Sequence, residues 1–331
     1  MDDLEQRIRA ARPISGHRTL PLSDRAKREL ADLMLVDAAS ARHRPQRLGR
    51  LRFLQVAGFA AAAAVVVAAA AIAATSLLTP QTAYAATPQM LRTTATSASA
   101  QELLTQMSET AGRSSAPATG SSSTITVQTW SLSITDNGVA TSTSIVPEQF
   151  ENTRTADGGF TTRVTFGQPF DHNGSPLDGE DLPAAGELSW EDSWAPGEYL
   201  FAFPDSFPKD ADEVGRYLST ISGAMLPLSA SESIQAMNSL LMEQKLDAQQ
   251  QAAFLSYLAD LPDLHVAGDT VDRLGRDGVV FITEDLGWRG YEDHIIISPE
   301  TGQVLATERI YHGNNRTDIA SPSVVSYYLW N

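Results

Sequence analysis

The chain has 331 residues, no cysteine and a net charge of −16. The lack of cysteine excludes disulfide bonds, thiolate zinc sites and cysteine nucleophiles. Residues 1–52 carry 12 basic and 7 acidic side chains and the remaining residues carry 12 and 33, so the long acidic part is not expected to bind nucleic acid through its net field.

The first 52 residues predict a short, basic, helical head. One helix is predicted over residues 2–11, and a second follows Ser23, whose hydroxyl suits an N-cap. The second helix has an apolar face made by Ala26, Leu30, Leu33 and Leu35. About fifty residues bury too little surface to form a core of their own. We therefore expect this face to contact a partner. A cytosolic protein, the head of a second copy and the membrane surface are the three alternatives.

Residues 53–79 predict a single transmembrane helix. Val56 to Leu78 is a run of 23 residues without a charge, and roughly 20 apolar residues suffice to cross a hydrocarbon core about 30 Å thick. Five arginines precede this run with no acidic residue among them: Arg42, Arg44, Arg47, Arg50 and Arg52. The positive-inside rule then predicts a cell-membrane protein with a cytoplasmic N-terminus and an extracytoplasmic C-terminal part.

Two other interpretations of the apolar run stay open. An alanine-rich run is also a strong soluble helix, although one without any charge would have to be buried on every side. The second alternative is that the run is the apolar core of a signal peptide. Ala83-Tyr84-Ala85, which follows it, has the A-x-A form of a cleavage site. Against cleavage, the polar region before the run is about fifty residues long and the run exceeds a usual signal-peptide core.

After the span, the sequence predicts a tether over residues 80–97 and a domain over residues 98–331. The tether is rich in proline, threonine and serine, which favours a flexible or extended chain. The domain begins with a helix of about fourteen residues, because Ser99 and Glu102 form a capping box.

A β-meander is predicted over residues 124–166, with a hairpin turn at Asp136-Asn137-Gly138 and a second turn at Asp157-Gly158-Gly159. The apolar alternation of its first strand changes phase near Gln128, which predicts a β-bulge there. Residues 167–198 show no regular pattern and are predicted to be irregular. Trp190 and Trp194 in that segment either cover the edge of the core or form the wall of a ligand site.

The last third of the chain predicts three helices followed by five strands. The helices cover residues 210–221 and 231–244 and the segment from Asp247 to Pro262. Four strands follow between residues 264 and 311, and the terminal sequence VVSYYLW predicts a fifth. The fold class is therefore α+β: an antiparallel, curved β-sheet packed on helices, preceded by one transmembrane helix and a short helical N-terminal segment.

In the order of its segments, the chain resembles a family of uncharacterised actinobacterial single-pass membrane proteins with an anti-sigma-factor-like layout. The resemblance rests on the basic head, the Ala/Val span, AATPQML, TWSLSIT, LPDLHVAGDTVDRLGRDGVVFITED and ISPETGQVLATERI. It implies no known activity and no catalytic residue. The meander, helices and second meander are also similar to periplasmic lipoprotein carriers and to the sensor domain of an envelope-stress regulator, which implies a curved sheet with an apolar hollow.

The reactive side chains form no recognisable catalytic or metal motif. Six histidines have no metal-ligand spacing: His17, His43, His172, His265, His294 and His312. Ser206 to Lys209 matches S-x-x-K, but Pro208 interrupts the helix that this motif needs. The loop from Asp171 to Asp181 is rich in oxygen ligands, so a Ca²⁺ site and a solvated acidic loop are both open. We predict no catalytic residue, no metal and no cofactor.

These patterns favour a non-enzymatic extracytoplasmic sensor or regulatory domain on a single membrane span. Its head, residues 1–52, is predicted to meet a cytosolic protein such as a sigma factor. The alternative is a membrane-tethered lipid or lipoprotein binding protein with an apolar ligand in the hollow of the sheet.

Overall fold

The computed structural model describes residues 84–114, 123–132, 144–285 and 287–331. Within these ranges, no helix combines the length and the apolar character that crossing a bilayer requires. The predicted head, the five arginines before the predicted span, the span itself and the predicted turn at residues 136–138 lie outside the described ranges.

The described part contains four helices and ten strands. The helices are α1 (Ala100–Arg113), α2 (Ala211–Ser222), α3 (Ala230–Leu241) and α4 (Ala248–Ala259). The first five strands are β1 (Thr93–Thr94), β2 (Ser123–Ser131), β3 (Glu148–Arg154), β4 (Phe160–Phe166) and β5 (Leu188–Trp194). The last five are β6 (His265–Val271), β7 (Asp277–Glu284), β8 (Tyr291–Ile297), β9 (Val304–Tyr311) and β10 (Ser323–Trp330).

All ten strands belong to one open antiparallel sheet in the order β1-β6-β7-β8-β9-β10-β2-β3-β4-β5. Two meanders, β2 to β5 and β6 to β10, are joined because β10 pairs with β2, with Tyr327 opposite Trp130. The last strand of the chain therefore closes the centre of the sheet. The predicted α+β class with an antiparallel sheet and helices is confirmed.

The helices begin where their caps predict. Ser99 caps α1 and forms the predicted capping box with Glu102. Asp247 caps α4, accepting from the backbone N–H groups of Gln249 and Gln250. Each cap satisfies amide groups that the first helical turn leaves without a partner. Helix α1 packs along α4, and α3 lies against β7 and β8.

One hydrophobic core lies between the helices and the sheet. It is filled by large side chains from both layers, including Leu104, Phe203, Phe254, Phe281 and Ile295, none of which is exposed. Burying a side chain of this size stabilises the fold by about 1.5–3 kcal/mol.

A second core lies on the opposite face of the sheet. Its buried members include Trp130, Ile145, Val280, Ile296 and Ile310. Strands β7 to β10 are consequently buried on both faces over most of their length.

The two cores explain the sequence of β2, where the prediction of a bulge near Gln128 is wrong. The pairings of β2 with β10 and β3 run without a register shift. Val127 belongs to the core on the helix side and Trp130 to the opposite core. The apolar alternation changes phase because the buried face changes along the strand.

The structure also corrects the prediction that residues 167–198 are irregular. Strand β5 lies within that segment and pairs with β4, with Trp194 opposite Phe160. Its side chains are mostly exposed because β5 is at the edge of the sheet. An acidic edge strand such as LSWEDSW lacks the apolar alternation that reveals a half-buried strand.

Candidate functional site

Residues 84–94, which we call the strap, lie against the face of the sheet opposite the helices. Ala85 is buried beside Tyr311 and Val325, and its backbone N–H donates to the carbonyl of Asp318 at 2.7 Å. Ala86 belongs to the second core, and Leu91 packs against it. A flexible or extended tether was predicted over residues 80–97; in the described part of that range, the strap is instead bound to the domain.

Three side chains of the domain hold backbone carbonyls of the strap. His172 Nδ1 lies 2.8 Å from the carbonyl oxygen of Thr87. Arg273 Nη2 donates to the carbonyl of Gln89 at 2.9 Å, and Thr270 Oγ1 donates to the carbonyl of Arg92 at 2.8 Å. The Thr87 hydroxyl also donates to Ser323 Oγ at 3.4 Å.

The strap ends in β1, which depends on a glycine in β6. Thr94 pairs with Asp269, and the neighbouring Gly268 has a φ of +134°. A Cβ at Gly268 would lie 2.1 Å from the carbonyl oxygen of Thr94. Only glycine allows this approach of the two backbones. Sequence reasoning missed the role of Gly268, although an isolated glycine inside a strand pattern is a signal of close backbone approach.

A buried ion pair lies beneath the strap. Arg273 donates to both carboxylate oxygens of Glu308, at 2.8 and 3.1 Å, and the Glu308 side chain is 1% exposed. The same guanidinium lies 5.2 Å from the centre of the Tyr327 ring. Because Arg273 also holds Gln89, this one side chain joins the strap to the centre of the sheet.

Burial dominates the electrostatics of this ion pair. It raises the pKa of Glu308, and the charge and hydrogen bonds of Arg273 oppose that rise. Burial also raises the pKa of Tyr327 to about 12, although Gln128 Nε2 donates to its hydroxyl at 3.1 Å. The carboxylate of Glu308 therefore depends on Arg273 for its charge.

Beside this ion pair, two histidines contact the carboxylate of Glu292. His294 Nε2 is 2.5 Å from Glu292 Oε1 and His312 Nε2 is 3.5 Å from the same atom. The hydrogen bond with His294 lowers the pKa of Glu292. His294 is also the partner of Glu308 in the register of β8 and β9.

A separate polar cluster ties α3 to the helix-side face of the sheet. Asp293 accepts from Ser231 Oγ at 2.6 Å, from Gln235 Nε2 at 3.2 Å and from Arg309 Nη1 at 3.2 Å. Arg309 also pairs with Asp285. Burial raises the pKa of Asp293. Its hydrogen-bond partners lie on α3 and on the neighbouring strand β9, so the cluster holds the helix to the sheet.

The acidic loop and the S-x-x-K segment have structural partners. Asp171 Oδ1 accepts from the backbone N–H groups of Asn173 and Ser175, as in a capped turn. Within the described ranges, no three His, Asp or Glu side chains are arranged to hold a metal ion. Ser206 accepts from Gln250, and Lys209 pairs with Asp247 at 2.9 Å.

Of the two tryptophans of β5, Trp190 contacts Phe150, which packs against the helix-side core, whereas Trp194 belongs to a separate group of aromatic rings. Trp194 packs on Phe160 and Tyr199, with ring centres 5.9 and 5.0 Å away. Trp190 makes an edge contact with Phe150 and is 40% exposed. Of the remaining histidines, His265 is exposed in β6, and His17 and His43 lie outside the described ranges.

Comparisons with known proteins add no family. Neither the models of protein families nor the curated protein sequences match this chain. The resemblance to an anti-sigma-factor-like family stays a prediction.

The substitution Gly268→Ala is expected to detach the strap. The new Cβ would clash with the Thr94 carbonyl, so amide hydrogen exchange over residues 84–94 should rise about 10-fold or more, a change of about 1.4 kcal/mol in local opening. Gly275→Ala is the matched control, because Gly275 also has a positive φ, of +81°, but open space around its Cβ position. Unchanged exchange in the strap of Gly268→Ala would contradict this account.

The substitution Arg273→Met is expected to make stability depend more steeply on pH. Without the cation, the pKa of buried Glu308 rises further, and the folded chain retains a proton that the unfolded chain releases above about pH 4.3. The variant should therefore lose stability relative to the parent as the pH rises from 5 to 8, reaching about 3–5 kcal/mol. Denaturant unfolding followed by tryptophan fluorescence measures this difference. Adding Glu308→Gln should make the difference nearly independent of pH; an equal loss at both pH values in Arg273→Met alone would show that Glu308 does not titrate as argued.

Proposed function

We propose that this protein is a single-pass membrane protein whose extracytoplasmic α+β domain is a non-enzymatic sensor or regulatory domain. The head, residues 1–52, acts on a cytosolic protein, for which a sigma factor is the leading candidate. The observation that carries the proposal is the strap, because the chain enters the folded domain within a few residues of the predicted span.

A sensor needs a connection through which the domain affects the membrane segment. Only residues 80–84 separate the predicted span from Ala85, which is buried and hydrogen-bonded to Asp318. Five residues provide little slack. A change in the sheet that releases or shifts the strap would therefore act on the C-terminal end of the predicted span, as a two-state element in a switch must. A carrier held only by a tether would gain nothing from such a docked connection.

The burial of Ala85 also supports retention of the span over cleavage after Ala85. Cleavage there would remove Ala85 from its place beside Tyr311, Ile319 and Val325 and would abolish the hydrogen bond to Asp318. The domain makes use of a residue that a processed chain would lack.

A membrane-tethered lipid or lipoprotein binding protein is the second candidate. It would require a curved sheet with an apolar hollow, and ligand pockets usually have volumes of about 300–1,000 Å³. A cavity between the helix layer and the sheet has a volume of about 200 Å³. That space favours a small ligand over a lipid, whereas a second space of about 650 Å³ beside the strap, lined by Leu91, Phe170 and Tyr327 among others, has the volume of a usual ligand pocket.

The proposed topology can be tested with single cysteines, because the chain has none of its own. A membrane-impermeant maleimide applied to intact cells should label Glu300→Cys, in the exposed turn between β8 and β9. It should label Ser40→Cys, in the head, only after the membrane is permeabilised. Labelling of Ser40→Cys alone in intact cells would mean the opposite orientation, and labelling of neither would place both segments inside.

The proposed regulatory role predicts a cytosolic partner that depends on the apolar face of the head. Affinity capture of the full chain from detergent extracts, followed by mass spectrometry, should recover a sigma factor or another cytosolic regulator. The double substitution Leu30→Glu/Leu33→Glu should reduce that recovery at least about 10-fold, since each change places a charge in an apolar contact. Arg28→Glu alters the same predicted helix off that face and serves as the control. Recovery of the same proteins with all three chains would contradict a specific head–partner contact.

A further inference from the structure

One end of the sheet holds the segment through which the chain enters the domain. Because β7 to β10 form an antiparallel meander, the β7–β8 and β9–β10 connections lie at the same end of these strands. The two connections touch, since the backbone N–H of His312 donates to the carbonyl of Gly290 at 2.7 Å. The second connection also binds the start of the strap through Asp318 and Ala85. We call residues 287–290 and 312–322, together with Tyr84 and Ala85, the entry end.

Ion pairs and aromatic rings hold the entry end together. Arg309, near the end of β9, pairs with Asp285 and lies 4.9 Å from the centre of the Tyr291 ring. Arg316 donates to Asp318 at 2.6 Å and to the Tyr291 hydroxyl at 3.4 Å. The backbone of both connections is therefore fixed to the strands and to the start of the strap.

Trp288 projects from this fixed end into solvent. The backbone N–H groups of Gly287 and Trp288 donate to the Asp285 carboxylate at 2.8 and 3.0 Å, and the Trp288 carbonyl accepts from Tyr291 at 3.2 Å. The Trp288 side chain is nevertheless 70% exposed, whereas tryptophan is highly buried on average. Arg289 beside it is exposed and forms no ion pair within the described ranges. The turn thus fixes the backbone and presents the indole outward.

Further exposed apolar side chains belong to segments at or next to the entry end. Tyr84, directly before Ala85, is exposed, and so are Met225 and Leu226 in the α2–α3 connection. That connection leads into α3, where Ser231 donates to Asp293 near the start of β8. Three separate segments therefore contribute apolar surface to one region of the domain.

The bilayer is within reach of this region. Six chain steps separate residue 79, the last of the predicted span, from Ala85, and each step covers at most about 3.6 Å, about 22 Å in all. Tryptophan and tyrosine prefer the interface of a bilayer, where the ring is in a partly apolar layer and its polar atom stays hydrated. The chain after residue 52 is strongly acidic and has no net attraction for anionic headgroups. Insertion of apolar side chains has to supply the binding.

We propose that the entry end binds the interfacial layer of the bilayer that holds the span. Trp288 and Tyr84 insert among the headgroups, and Met225 and Leu226 lie against the same surface. This inference rests on the proposed single-span topology and adds a second point of attachment to it. A domain attached at this end cannot tumble freely, so a shift of the strap acts on the span instead of being taken up by rotation of the whole domain.

Quenching of tryptophan fluorescence by brominated lipid tests the contact. The full chain is reconstituted into vesicles of phosphatidylcholine and phosphatidylglycerol, with and without acyl chains brominated near the headgroup. Of the five tryptophans, Trp288 is expected to be the one at the membrane, so Trp288→Phe should remove at least about half of the quenching. Trp190→Phe is the matched control and should leave the quenching unchanged, because this exposed tryptophan lies on β5, six strands away from β8. Equal quenching of the parent and Trp288→Phe overturns the proposal.

Two single cysteines of equal exposure locate the contact without changing Trp288. Leu226→Cys replaces a side chain that is 54% exposed next to the entry end, and Val271→Cys replaces one that is 52% exposed at the opposite end of β7. Each cysteine carries a nitrobenzoxadiazole dye. Lipid with a spin label near the headgroup should quench the dye at position 226 at least about 3-fold more than the dye at position 271. Equal quenching at the two positions counts against the contact and overturns it.

Extraction of the same vesicles with alkaline carbonate separates this inference from the topology on which it rests. A chain with a transmembrane span stays in the vesicles, whereas a chain bound only at the surface is released. Retention together with quenching of Trp288 supports both proposals. Retention without that quenching leaves the topology intact and overturns the contact, as when a second copy or another protein covers this end. Release by carbonate overturns the topology and this inference with it.

Discussion

Strands β7 to β10 carry apolar side chains on both faces, so both faces of the sheet must be shielded from water. The helices shield one face, where Phe254 and Leu258 of α4 belong to the core. The other face is shielded by the strap and by the segments that contain Ile145 and Phe170. An antiparallel sheet often leaves one face to solvent, and here it does not. The start of the described chain is therefore part of the domain.

Buried carboxylates on the central strands are compatible with this arrangement because arginines pair with them. Glu308 in β9 is paired by Arg273, which follows β6, and that arginine reaches on to the strap. Asp293 in β8 is paired by Arg309 and also accepts from Ser231 of α3. Such pairs contribute little net stability when compared with apolar replacements, but they fix the orientation of what they connect. One pair orients the strap and the other orients α3.

The strap and the cavity use opposite faces of the same two strands. On β10, Tyr327 lies beneath the strap beside Arg273, whereas Trp330 lines the cavity. On β9, Glu308 belongs to the strap side and Val304 to the cavity side. The strap and the cavity therefore share two strands as their common support.

The sequence by itself determined the elements whose signals are local. The Ser99–Glu102 box predicted the start of α1, the apolar alternation predicted β4 and the last meander, and Asp247 predicted the start of α4. These signals suffice because a cap or an alternating strand depends on neighbours only a few residues away. The same local information predicted a span and a head, for which the described part of the chain offers no test.

Only the tertiary structure decided the features that depend on distant neighbours. The change of buried face in β2 looked like a bulge, because a sequence shows the phase of the apolar pattern and not the presence of a second core. The strap looked like a tether, because its bonds to Arg273, Thr270 and Asp318 come from residues more than 170 positions away. Likewise, Trp288 and Ala85 carry no local signal of a shared end of the sheet, which exists only because the β7–β8 and β9–β10 connections meet there.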